Sequence, residues 1–299
     1  MNYIELADWS FIKITGPDRK SFLHSFCTNN INQLIPGTGC EAFVTTIQGK
    51  ILAHILVFAT EDELQLIGVP GTAEAVVPHL QKYLLGLEAE IIDCSAEQAI
   101  LCCWGAGLET ALGSFPENLF EHVNLPDLNL HVAQVPLTRD KSCFVYGDKD
   151  AVVQAIKSFT DATEATKDAF EFERIAAGFP YHGIDISDAN IAQEAARTEL
   201  AISFEKGCYL GQEPIARLDA MGHTNKELRG LSINEEASTL AGAVILDGDK
   251  EIGQVTSSAS QAGVTVALGM VRTSSANPGR TVQVKPDGII LDAVVQRFN

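Results

Sequence analysis

The chain has 299 residues, 46% hydrophobic and 20% charged, with a formal net charge of −18 at pH 7. That length accommodates two or three domains with their own cores, and 39 acidic against 21 basic residues gives a surface that repels phosphate backbones, which argues against nucleic-acid binding. No apolar run is long enough to span a bilayer, and Met1-Asn2-Tyr3-Ile4-Glu5-Leu6 lacks a signal peptide's basic-then-apolar layout, so a cytoplasmic protein is expected.

In chain order, Trp9 to Ile14 reads as a strand closing on Thr15-Gly16-Pro17, and Phe22, Leu23 and Phe26 fall at helical spacing. Pro36-Gly37-Thr38-Gly39 is a turn, and residues 41–46 and 50–58 form a hairpin around Gln48-Gly49. A strand at 64–69 precedes a helix at 72–85 with Thr72 as its N-cap and Pro78 as a start or kink. Strands are expected at 89–94, 99–104, 131–137 and 143–146, a short helix at 108–112, and a helix capped by Asp148 whose apolar stripe is Val152, Val153, Ile156 and Phe159. Residues 168–177 give the clearest helix, with Gly178 at its C-cap and Pro180 as its stop. A long polar loop, 181–194, follows. Beyond Lys226, six strand-like runs separated by Asp247-Gly248, Asp287-Gly288 and similar turns imply a small β-barrel or sandwich. The expected fold is α+β, with a body at 1–225 and a β-barrel at 226–299.

The seven cysteines (27, 40, 94, 102, 103, 143, 208) are scattered, with no C-x-x-C pair, which fits neither a disulfide framework nor a zinc site. The seven histidines show no metal-ligand spacing, so no bound metal is expected. One thiol stands apart, in Lys206-Gly207-Cys208-Tyr209-Leu210-Gly211-Gln212-Glu213. Its flanking glycines permit a turn and close approach, and a cation two residues away favours the reactive thiolate. The alternative is a structural cysteine in a tight turn.

The order of these pieces resembles a known family. Ile14-Thr15-Gly16, Thr28-Asn29-Asn30, Pro36-Gly37, Gly49-Lys50-Ile51, Ala177-Gly178-Phe179-Pro180, the octapeptide and Gly253-Gln254-Val255-Thr256-Ser257 are together similar to the folate-binding YgfZ family. That family is a branch of the glycine-cleavage aminomethyltransferase (T-protein) superfamily, and its mitochondrial relatives help mature iron–sulfur proteins. The resemblance implies a T-protein-like folate-binding body of ferredoxin-like units around a central channel, plus the C-terminal barrel. It implies tetrahydrofolate or a derivative as cofactor, and iron–sulfur apoproteins or assembly factors as partners. On it, Cys208 and Lys206 are the functional candidates, with Gly207, Tyr209, Gly211, Gln212, Glu213 and Arg217 in one patch. Arg217 suits the glutamate tail of folate, or the patch is a salt-bridge set that holds the turn. Trp9 matches a family tryptophan associated with folate; packing in the core is the alternative. Phe170 and Phe172 are further stacking candidates, Glu194 a partner for a pterin edge, and Asn30, with Asn29, a polar contact or a turn cap.

The sequence also departs from the transferases. Ala53 and His54 stand where the resemblance implies carboxylates, and Ala176 where it implies a glutamate. Alanine moves no proton, and histidine is a different base. Aminomethyl transfer is therefore not expected. Two rivals stay open: a folate-dependent one-carbon transferase with His54 as base, and a folate-binding module without chemistry.

Overall fold

A computed structural model describes every residue except 127, 160, 238 and 299. The chain begins with β1 (Asn2–Glu5), β2 (Ser10–Thr15), α1 (Arg19–His24), β3 (Thr38–Thr45), β4 (Ile51–Ala59), β5 (Glu63–Gly68), α2 (Thr72–Gln81) and β6 (Glu90–Asp93). It continues through β7 (Gln98–Trp104), α3 (Leu108–Leu112), β8 (His122–Leu125), β9 (Leu130–Val135), β10 (Ser142–Asp148), α4 (Lys149–Ser158), β11 (Thr163–Glu164) and α5 (Lys167–Ala177). After α6 (Thr198–Ala201) and α7 (Gln212–Met221), the rest is β12 (Lys226–Ile233), β13 (Val244–Asp247), β14 (Lys250–Gln261), β15 (Val264–Arg272), β16 (Thr281–Lys285) and β17 (Leu291–Gln296).

These strands form three sheets. One has the order β3-β4-β5-β2-β6, a second β11-β1-β7-β10-β9-β8, and the third closes as a barrel, β12-β15-β14-β13-β16-β17. Closure removes the exposed edges that six short antiparallel strands would otherwise leave. The period-two alternation of β4 decides what each side chain meets. Ala53, Ile55, Val57 and Ala59 join the core that the first sheet shares with α1 and α2. Leu56 and Phe58 point the other way, into the core between the two open sheets, with Trp9, Phe144 and Tyr146. His54 has the same parity as Leu56 and so shares that inner face.

The hydroxyl of Thr166 caps α5 by accepting from Ala169 N at 3.2 Å, and Gly178 ends the helix in the left-handed region (φ 76°). α5 packs on β14 and β15 of the barrel. Arg174 makes that join. It is fully buried and donates to Phe179 O (2.7 Å), Asp185 Oδ2 (2.9 Å) and Glu171 Oε2 (2.7 Å). Asp185 also accepts from Tyr181 N (2.9 Å) and from the hydroxyls of Thr256 and Ser257, both at 2.6 Å. Neighbouring residues on a regular strand face opposite ways, but the register of β14 shifts between Val255 and Ser257. That irregularity turns two consecutive hydroxyls onto one carboxylate.

Several local expectations need correction. Gly71, in the left-handed region at φ 87°, is the N-cap of α2, and the helix stops at Gln81. Glycine reaches that conformation without strain, which places Thr72 inside the helix. Asp148 precedes α4, but its carboxylate accepts from Gln98 Nε2 (2.7 Å) instead of capping the helix. Val153 of the expected apolar stripe is exposed. The sequence pattern does not signal β1, β8, β11, α6 or α7.

A histidine pair lies between the open sheets. The His131 ring stacks on Tyr146 (5.3 Å) and lies 5.7 Å from that of His122, whose Nε2 meets Ala59 O at 2.8 Å. Burial, then the neighbouring His122, pulls His131 down to about 4. A histidine lowered by folding gives stability that is complete above its unfolded value near 6.5 and is lost as pH falls toward about 4. The guanidinium midpoint is therefore expected to fall between pH 7 and pH 5. His131→Phe keeps the stack and should flatten that fall; parallel slopes for the two proteins would refute the assignment.

Candidate functional site

The octapeptide is seated against two earlier elements. Leu210 N donates to Ser25 O (2.9 Å) at the end of α1, and Thr45 Oγ1 donates to Leu210 O (2.7 Å). Gly211 takes φ 87°, and a Cβ there would lie 2.3 Å from Thr46 O, so only glycine fits the approach to the β3–β4 hairpin. Lys206 points inward. It is 6% exposed, and its ammonium donates to the carbonyls of His24 (2.5 Å), Cys27 (2.7 Å) and Asn29 (2.8 Å). Tyr209 packs on it, with the ammonium 4.8 Å from the ring centroid, and burial pushes the Tyr209 phenol up to about 12.

This corrects the role expected for Lys206. Its three donors each have a carbonyl partner, so it fixes the turn and is not a free cation beside the thiol. Cys208 is exposed, alone among the seven free cysteines. Gly207 is exposed too, and a Cβ on it would meet only His24 Nε2, at 3.7 Å. Gln212 opens α7, Glu213 lies in its first turn, and both Glu213 and Arg217 are exposed. Arg217 has no ion-pair partner among the described residues, which leaves the expected salt-bridge set unformed.

A cavity of about 560 Å³ opens where the body meets the barrel. Its wall combines Gln193 and Arg197 with Leu119 and Pro136 of the second sheet's loops, and Arg229 and Phe298 of the barrel. Beneath it lies a buried charged group. Arg197 Nε and Nη2 donate to Glu41 Oε1 (2.7 Å) and Oε2 (2.5 Å), and His54 Nε2 meets Glu41 Oε1 at 2.8 Å. Glu41 is fully buried, and Arg197 is 3% exposed. Burial alone pushes the Glu41 carboxyl up, but Arg197 and then His54 outweigh it and hold it at about 2.

His54 has little left for a substrate. Its Nδ1 lies 3.4 Å from Pro180 O, and its ring is covered by Phe43 (5.0 Å) and Phe179 (4.9 Å). Ala53 is buried among the helices of the first core. Gln193 Nε2 donates to Ile215 O (2.6 Å), while its buried Oε1 has no partner among the described residues.

None of the expected aromatic ligands lines the cavity. Trp9 is 6% exposed, stacks on Phe179 (6.3 Å) and meets Phe144 and Tyr181 edge-on. Phe170 packs against Trp104 (5.9 Å), and Phe172 lies under the Arg139 guanidinium (5.2 Å). For these three, packing in the core corrects the stacking expectation, because protein already covers their faces. Glu194 accepts from Asn190 Nδ2 (2.8 Å) and lines a separate groove with Asn225 and Lys226. The Asn29 amide ties Glu41 O to Leu200 O, and the buried Asn30 Oδ1 lacks a partner among the described residues. Glu41, Gln193 and Arg197 were missed. The available signal was Glu41, a charge inside an apolar strand, which requires a buried partner.

Comparison with known proteins gives a consistent family. Residues 226–298 match the glycine cleavage T-protein C-terminal barrel domain. A putative chloroplastic transferase of Arabidopsis thaliana is 25% identical over 95% of this chain and 68% of its own. The tRNA-modifying protein YgfZ of Colwellia psychrerythraea is 23% identical over 84% of this chain and 76% of its own. Among solved structures, the glycine cleavage system aminomethyltransferase T from Bartonella henselae superposes with a TM-score of 0.85 at 21% identity, covering 99% of this chain and 85% of that one.

Proposed function

We propose that this chain, of the YgfZ-type branch of the T-protein superfamily, binds a reduced folate and supports the assembly or repair of iron–sulfur enzymes through Cys208. The observation that carries the folate assignment is the junction cavity of about 560 Å³, whose wall sets the arginines 197 and 229 beside Phe298. The volume lies in the range of small-molecule sites, and arginine forks suit the carboxylates of a folate's glutamate tail. Tetrahydrofolate there would supply one-carbon and pterin chemistry. The chain's own residues bind and orient it: Gln193 and Arg197 from the body, Arg229 and Phe298 from the barrel.

The same geometry speaks against the transferase alternative. Both ring nitrogens of His54 face protein acceptors, so no open base stands at the position of the transferase carboxylates. Some relatives are named for tRNA modification. With a net charge of −18, this chain would serve a modifying enzyme and not hold RNA itself.

Two measurements test the proposal. Calorimetry with 5-formyltetrahydrofolate should show binding, and none at millimolar ligand would refute the folate assignment. Cys208→Ala should fold as the wild type does, since surface substitutions stay within about 0.5 kcal/mol, yet fail to restore iron–sulfur enzyme activity in cells lacking the protein. Full rescue would remove the thiol from the mechanism. Lys206→Met, which strands three carbonyls, should instead unfold at lower denaturant.

A further inference from the structure

A second cavity, of about 600 Å³, opens on the barrel where the chain enters it from the body. Three segments line it: residues 223–225 just before β12, Lys250 at the start of β14, and residues 272–274 from the end of β15 onward. It shares no lining residue with the junction cavity. Acidic residues outnumber basic ones 39 to 21 in the chain, yet among the described residues no acid lines this cavity. Lys250 and Arg272 are exposed, and neither has an ion-pair partner among the described residues. The acid facing Lys250 across the β13–β14 hairpin is Asp247, its register partner. That carboxylate accepts instead from Ser275 and Arg280, which leaves the ammonium unmatched. The floor is fixed, because Thr273 N donates to Asn225 O (3.1 Å) and Thr273 Oγ1 to Thr224 O (2.6 Å). A guanidinium, an ammonium, the Asn225 amide and the Ser274 hydroxyl are the donors left for a ligand.

We propose that this cavity binds a small anion carrying more than one phosphoryl group. The Arg272 fork matches two oxygens of one phosphoryl group, and Lys250 adds a point charge for the next. The lining holds no hydrophobic residue, so it offers nothing to a base or an acyl chain, and the ligand is charged throughout. The net charge of −18 repels a long phosphate backbone, which favours a small anion over RNA. The site is independent of the folate assignment.

The test is calorimetry on the full chain with inorganic pyrophosphate at about 0.15 M salt. Saturable one-site binding is expected, with a raised melting midpoint, since a ligand of the folded state stabilises it. Lys250→Ala and Arg272→Ala should each weaken binding about tenfold or more. Lys157→Ala, an exposed cation on α4, should stay within about twofold of the wild type, because distant surface charges are screened. No saturable binding at millimolar pyrophosphate, or an unchanged affinity in Arg272→Ala with a wild-type circular dichroism spectrum, would overturn the proposal. Citrate binding as tightly as pyrophosphate would overturn its assignment to phosphate, and a short RNA oligonucleotide binding more tightly would overturn the small-anion reading. Each outcome leaves the 5-formyltetrahydrofolate result untouched.

Discussion

Arg174→Met is expected to destabilise the protein by about 3–5 kcal/mol, the usual cost of breaking a buried ion pair from one side. Methionine replaces much of the stem, so the effect isolates the guanidinium. Burial works against that charge, but Asp185 and then Glu171 outweigh it and hold the arginine's pKa above its ordinary value. Removing it leaves the fully enclosed Asp185 side chain with only Tyr181 N, Thr256 and Ser257 as donors. It also frees Phe179 O, which Arg174 Nη1 holds at 2.7 Å. Because this network joins α5 and the 181–194 loop to the barrel, the loss should fall on their coupling. Urea unfolding followed by fluorescence should show a lower midpoint and a broader, less cooperative transition. A change below about 1 kcal/mol would mean that apolar packing alone holds the join.

Glu41→Gln is the second large effect. The carboxyl is held at about 2 against an ordinary value of 4.5, which corresponds to roughly 3 kcal/mol. Its folded value is depressed, so the contribution is complete above pH 4.5 and is lost as pH falls toward about 2. The amide cannot balance Arg197, so Glu41→Gln should lose stability of that order at pH 7. It should also lack the wild type's decline below pH 4.5. Denaturant midpoints measured from pH 7 to pH 3 separate this step from the earlier His131 step. Equal acid slopes in the two proteins would show that Glu41 does not govern the acid limb.

Much of the scaffold was legible in local pattern. The six-strand C-terminal run, the α5 stop at Gly178 and the hairpin around Gly49 all follow from period and turn chemistry. The Gly253–Ser257 motif was visible as a string, but its use was not. Thr256 and Ser257 act together only because β14 shifts register between Val255 and Ser257. The octapeptide was conspicuous for its cysteine, whereas the fold gives its lysine a structural task. Trp9, Phe170 and Phe172 were ligand candidates through the resemblance, while Trp9 on pattern alone reads as core, because an aromatic residue carries the same signature in both settings.

The sequence by itself determined the α+β order, the six-strand C-terminal run and the scatter of the cysteines, since each depends on residue type and near neighbours. Only the tertiary structure decided that Lys206 faces inward while Cys208 faces out, and that Glu41, His54 and Arg197 share one buried site. Glu41 and Arg197 are 156 residues apart in the chain. Pairings over that distance are set by which sheet faces stack and where the hairpin and loops converge, and local periodicity carries no record of that.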